Sequence, residues 1–138
     1  MAKILVVEDD AGDQVLIEEF LASAGHTVIL AADGSEALEK MRDEKIDVIV
    51  TDLRMPVLNG LRLIRQLRDT GDTIPIVAIS GANADHLMLA QDYGANAAVS
   101  KPLDREQFLD VLERIVGDTR NDWSEAWIHP EFGSVGER

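Results

Sequence analysis

Apolar residues fall along this chain in two alternating rhythms. Five short runs, Ile4 to Val7, His26 to Ala31, Val48 to Thr51, Ile76 to Ile79 and Ala97 to Val99, are rich in β-branched and aliphatic residues and read as strands. Four of them are apolar almost without interruption, the pattern of strands covered on both faces within a parallel sheet. His26 to Ala31 is more polar and fits a sheet edge. Between the runs, apolar residues recur at helical spacing. Asp13 to Ala24 carries Leu16, Phe20 and Ala24 on one stripe and stops at Gly25. Gly34 to Arg42 turns Ala37, Leu38 and Met41 inward. Leu61 to Arg68 sets Leu61, Leu63, Ile64 and Leu67 against Arg62, Arg65 and Arg68. Ala84 to Tyr93 closes at Gly94, and Arg105 to Val116 buries Phe108, Leu109, Leu112, Ile115 and Val116 before Gly117.

The order is strand then helix, five times over. Right-handed crossovers then give an α/β fold, a doubly wound five-stranded parallel sheet in a single domain, with ligands at the carboxyl ends of the strands. Residues 118–138 fall outside the pattern. They concentrate aromatic residues and read either as a loose tail or short helix folded back on the domain, or as a docking segment for another chain.

Composition narrows the function. At 138 residues the chain has room for one ordinary domain, so an output domain does not fit. A formal net charge of −13 argues against general affinity for nucleic acid or anionic membrane and favours basic partners or metal cations. With no cysteine, disulfides and thiolate metal sites are excluded. The N-terminus lacks the features of a signal peptide, and no apolar run approaches the roughly 20 residues of a spanning helix. The expected location is cytoplasmic.

Polar residues placed on this architecture converge. Glu8, Asp9 and Asp10 follow the first strand, Asp52 ends the third, Ser80 ends the fourth, and Lys101 with Pro102 follows the fifth. These carboxyl ends share one edge. Clustered carboxylates repel one another unless a cation sits among them. Mg²⁺ (or Mn²⁺) suits such oxygen donors: Asp9 and Asp52 directly, Glu8 through a water, and the backbone carbonyl of Arg54. Lys101 and the Ser80 hydroxyl would then meet phosphoryl oxygens while Asp52 attacks in line. Asp10 fits a cap of the first helix. His26, His86 and His129 lie on unrelated elements and carry no catalytic role.

In the motifs Ile4-Leu5-Val6-Val7-Glu8-Asp9-Asp10, Asp52-Leu53-Arg54-Met55-Pro56 with Asn59-Gly60, Ser80-Gly81 and Lys101-Pro102, the chain resembles the CheY-like receiver domains of two-component response regulators, over about residues 3–117. The resemblance implies a flavodoxin-like (βα)5 fold, a receiver over 1–118 with a C-terminal extension at 119–138, and a stand-alone signalling switch rather than an enzyme. It implies Asp52 as phosphoacceptor, Glu8 and Asp9 as the acidic pair, Ser80 as switch hydroxyl, Lys101 as phosphate-pairing lysine and a cis bond before Pro102. The phosphoryl donor would be a sensor histidine kinase or histidine phosphotransfer protein. The downstream protein is unknown, a homodimer stays open, and neither nucleic acid nor membrane is contacted directly.

One position departs. The family typically carries an aromatic residue three positions before the lysine, where this chain has Ala98, which has no rotamer to switch. A phosphate-independent pseudo-receiver is therefore one alternative. Another is an Asp-nucleophile phosphatase of the haloacid dehalogenase type, but that chemistry needs an acid two residues after the nucleophile, where Arg54 stands.

Overall fold

A computed structural model describes residues 2–54, 58–81, 84–117, 128–129 and 133–134. In chain order the elements are β1 (Lys3–Val7), α1 (Ala11–Ser23), β2 (Thr27–Ala31), α2 (Gly34–Asp43), β3 (Val48–Asp52), α3 (Gly60–Asp69), β4 (Ile76–Ser80), α4 (Ala84–Tyr93), β5 (Ala97–Ser100), α5 (Arg105–Gly117), β6 (Ile128–His129) and β7 (Gly133–Ser134). Local chemistry sets the helix starts. The side chains of Asp10, Asp33, Asn59 and Asp104 each accept from the backbone N–H three residues on, at 2.8–2.9 Å. Each satisfies a donor that the first helical turn leaves orphaned.

β1 to β5 form one parallel sheet in the order β2-β1-β3-β4-β5, a doubly wound, flavodoxin-like arrangement with β2 at one edge as its polarity predicts. Alternation along each strand feeds two cores. Ile4, Val6, Val50, Val77 and Val99 face α1 and α5, while Leu5, Val7, Ile49, Ala78 and Ala98 face α2, α3 and α4. The central strands are thus apolar on both sides, which explains their unbroken hydrophobic runs.

Three helix faces differ from the periodicity reading. On α1 the buried pair is Ile17 and Leu21, with Leu16 38% exposed and Ala24 exposed; Phe20 is half-buried and packs against Phe108 of α5, 6.5 Å between ring centres. The inward stripe is rotated by one residue because α1 must meet both β1 and α5. On α5, Val111 is buried and Val116 is exposed, since the helix runs past the sheet in its last turn. Arg68 is not on a solvated face: it is half-buried and donates to Gly94 O, Asp72 O and Asn96 Oδ1.

Most of the C-terminal extension lies outside the described residues. Its described parts are short strands instead of the expected coil or helix: β6 and β7 pair antiparallel, and β6 runs beside β5.

Candidate functional site

The strand order reverses between β1 and β3, so the loops leaving these two strands splay apart and open a crevice at their carboxyl ends. Glu8 and Asp9 follow β1 and Asp52 closes β3, which brings residues 43 positions apart (52 − 9 = 43) to one place. One carboxylate oxygen from each of Glu8, Asp9 and Asp52 lies within 4.8 Å of the others. Glu8 and Asp52 are buried and Asp9 is exposed, so the crevice opens toward solvent on the Asp9 side.

Lys101 reaches across the sheet edge into this cluster. Its Nζ donates to Asp52 Oδ2 at 3.0 Å, to Glu8 Oε1 at 3.0 Å and to Asp13 Oδ2 at 2.9 Å. The Lys101 backbone N–H donates to Ser80 O at 2.8 Å, tying the end of β5 to that of β4, and the Lys101–Pro102 peptide is cis, as the resemblance implied. Burial works against the lysine's charge, but the hydrogen bonds it donates to Asp13, Asp52 and Glu8 outweigh that and hold the ammonium above its ordinary pKa. Burial has the opposite outcome at Glu8. Loss of solvent is the largest influence there and the charge of Asp52 adds to it, against the Asp10 N–H and Lys101, so the carboxyl is pushed up to about 7.

The backbone fixes the remaining polar atoms. Arg54 N–H donates to Asp52 Oδ1 at 3.0 Å, which seats the Arg54 peptide beside the acid while its side chain stays exposed. Asp10 N–H donates to Glu8 Oε2 at 3.1 Å, and the Gln14 amide donates to Glu8 O. Asp10 itself caps α1. Ser80 is buried and its Oγ has no hydrogen-bond partner among the described residues. A buried hydroxyl left unpaired costs stability. Gly81 is exposed, and a Cβ there would meet only the Lys101 side chain, at 3.7 Å. Met55, Pro56, Val57 and Ala82 lie outside the described residues.

The side chains of Glu8, Asp9, Asp52 and Lys101 expected at this edge therefore stand together, and Ser80 is joined to Lys101 through the backbone. Asp13 is an addition that the periodicity reading left on a helix. Its signal was the capping pair Asp10 and Asp13, which places it in the first turn of α1, and that turn rises from the same sheet edge. A second addition is Gly60, where a Cβ would stand 2.0 Å from Asp52 O and 2.8 Å from Leu53 Cα. Ala98 is 2% exposed and lies in the α3 and α4 core with Leu87 and Ala90.

Residues 4–113 match the family described as the response regulator receiver domain. This chain belongs to that family. Among curated relatives, response regulator MprA of Mycobacterium ulcerans is 36% identical over 125 residues, covering 90% of this chain and 54% of that protein. The receiver thus spans about half the length of the curated relatives it matches. Chemotaxis protein CheY4 of Vibrio cholerae superposes with a TM-score of 0.76 at 31% identity, covering 83% of this chain and 98% of that one. The receiver domain of sensor histidine kinase PA1611 from Pseudomonas aeruginosa, solved with a magnesium ion coordinated in its active-site cleft, superposes with a TM-score of 0.77 at 33% identity, covering 85% and 98%.

Proposed function

We propose that this receiver takes a phosphoryl group onto Asp52 and thereby changes which protein it binds. The observation that carries the proposal is the Lys101 ammonium shared by Asp52 and Glu8, on a strand end tied through the backbone to Ser80, whose hydroxyl is buried with no partner among the described residues. In a phosphoryl transfer the chain has little covalent work beyond the attack itself, so positioning and charge dominate. Asp52 is aimed by the Arg54 N–H on one oxygen and Lys101 on the other. Its carboxylate attacks phosphorus in line, an O–P bond forms, the P–N bond of a phosphohistidine breaks, and the donor imidazole departs with the bonding electrons. Lys101 follows the negative charge onto the phosphoryl oxygens, and the Ser80 hydroxyl donates to another of them.

The donor set fits a hard divalent cation. Three carboxylates within 4.8 Å offer oxygen only, and they carry more negative charge than one ammonium offsets. Asp9, Asp52, Glu8 through a water and the Arg54 carbonyl would hold magnesium (or manganese). Bound there, the ion supplies positive charge opposite the transferring phosphoryl group. The donor protein is a sensor histidine kinase or a histidine phosphotransfer protein. The receiver occupies residues 1–118, with 119–138 an appended segment that docks on this domain or on a partner.

Intact mass spectrometry after incubation with Mg²⁺ and acetyl phosphate or phosphoramidate tests the proposal. Transient addition of one phosphoryl group, lost with Asp52→Asn or with chelator, is expected. No adduct with either donor makes the chain a phosphate-independent module, and steady turnover of unrelated monoesters makes it a phosphatase.

A further inference from the structure

An open groove of about 480 Å³ lies between α3 and α4, lined by Arg62, Arg65, Gln66, Asp69, Thr70 and Tyr93. The groove runs along α3 from Arg62 in its first turn to Thr70 at its C-terminal cap, with Tyr93 at the end of α4 as its other wall. Nothing in the chemistry proposed for Asp52 uses it.

Charge makes the groove unusual. The chain has 26 acidic residues against 13 lysines and arginines, so an arginine would be expected to find a carboxylate. Instead, the Arg62 guanidinium has no hydrogen bond or ion pair among the described residues. Arg65 is little better served: Asp69 Oδ2 stands 3.9 Å from its Nε with both side chains largely exposed, a pair of small energetic worth. Arg65 is held instead by the Tyr93 ring, whose centre lies 5.4 Å from its Cζ. Arg68, the third arginine of α3, is spent on Gly94 O, Asp72 O and Asn96 Oδ1, which clamp α3 to the loop before β5. That clamp makes the floor rigid and leaves Arg62 and Arg65 as two outward forks, one preset by an aromatic face. Two such forks one helical turn apart match carboxylates bidentately.

We infer that the groove between α3 and α4 docks an acidic segment of another protein, with Arg62 and Arg65 pairing with its carboxylates and the Tyr93 ring taking an apolar side chain. The size of the patch decides the class of partner. A long polyanion such as nucleic acid would run beyond α3 onto a surface whose net charge is −13 and be repelled. A short acidic segment lies within the screening length of about 8 Å at physiological salt and senses mainly the two arginines. An enclosed small-molecule site would cover its ligand on most sides. This groove is walled by exposed side chains and leaves one side open, as a peptide requires.

The test titrates the full chain into a fluorescein-labelled peptide of alternating Glu-Glu-Leu triplets at low and physiological salt, with a Lys-Lys-Leu peptide and an oligothymidylate as controls. Saturable binding of the acidic peptide is expected, weakened about tenfold or more by Arg62→Glu with Arg65→Glu and less by Arg62→Gln with Arg65→Gln, in the order of charge removed. Amide shifts should map to the exposed face of α3 from Arg62 onward and to the last turn of α4. Both residues are exposed, so an unchanged melting temperature shows that the variants fold. Phosphorylation of Asp52 by acetyl phosphate should be unchanged in them, which separates this inference from the one about Asp52. No saturable binding of the acidic peptide, equal binding by the double variant, equal binding of the lysine peptide, or oligothymidylate competing at the same residues would each overturn it.

Discussion

The Nζ of Lys101 lies 3.0 Å from Asp52 Oδ2 and 3.0 Å from Glu8 Oε1, so one ammonium from β5 stands between the acid that ends β3 and the acid that follows β1. Removing it strands the carboxylates. Glu8 is 1% exposed and would lose its cation while remaining buried. Lys101→Gln is expected to lower the metal-free unfolding free energy by about 1–3 kcal/mol. Millimolar Mg²⁺ should restore part of that loss, because a divalent ion answers the same charge. Phosphorylation of Asp52 should slow by about tenfold or more, as expected when a preorganised cation is lost. Melting curves with and without Mg²⁺, read beside the mass time course, check both halves.

Ser80 carries the opposite trade. Its hydroxyl is buried with no partner among the described residues, so no hydrogen bond among them offsets its burial. Ser80→Ala removes that unpaired group and should leave stability unchanged or raise it by up to about 1 kcal/mol, while phosphorylation of Asp52 slows. Stability that fell, with a phosphorylation rate that held, would show that the hydroxyl serves packing and not transfer.

Gly60 guards Asp52 through sterics and not through chain flexibility. A Cβ at this first residue of α3 would stand 2.0 Å from Asp52 O and 2.9 Å from Asp52 C, both backbone atoms that cannot rotate aside. Gly60→Ala should therefore destabilise by about 3 kcal/mol, at the upper end for overpacking, and displace the acceptor. A crystal structure or the phosphorylation rate of the variant would register the displacement. Unchanged melting would mean that the helix start can shift freely.

Much of this was legible in the sequence for identifiable reasons. β1, β3, β4 and β5 are buried on both faces, so their unbroken apolar runs could not be mistaken, and in a parallel sheet the positions of Asp52, Ser80 and Lys101 just past such runs force them to one edge. Helix rotation was harder. On α1, Leu16, Ile17, Phe20 and Leu21 offer two nearly equivalent stripes, and packing on the sheet and α5 together selects Ile17 and Leu21. Arg68 looked like solvent-facing charge because helical spacing cannot see the carbonyl of Gly94 or the side chain of Asn96, which arrive 26 and 28 residues later. Asp13 was hidden because the pattern places it in the first turn of α1 but cannot show Lys101 arriving 88 residues later. Gly60 was hidden because a clash with Asp52 O is a property of the folded loop, not of the turn motif. Ala98 was legible as a departure from the family, and the structure adds that it is buried in the core beneath α3 and α4.

His26 gives the fold a pH response remote from the acidic cluster. The loop before β2 places its ring where Nδ1 accepts the backbone N–H of Ala2 at 3.1 Å, which only the ring deprotonated at that nitrogen can do. Burial lowers its pKa below the ordinary 6.5, with Glu113 of α5 pulling the other way. The folded state thus binds the proton less readily than the unfolded chain. As pH falls below 6.5 the unfolded state takes up protons first and stability drops; the loss is complete only below the folded pKa, and the slope of stability against pH is positive between the two. Many carboxylates titrate lower still, so the signature is differential. His26→Gln, which cannot charge, should be flatter than the parent between pH 6.5 and the carboxylate range in urea melts. Parallel curves for the two proteins in that window would show that the His26 contact with Ala2 does not govern its protonation.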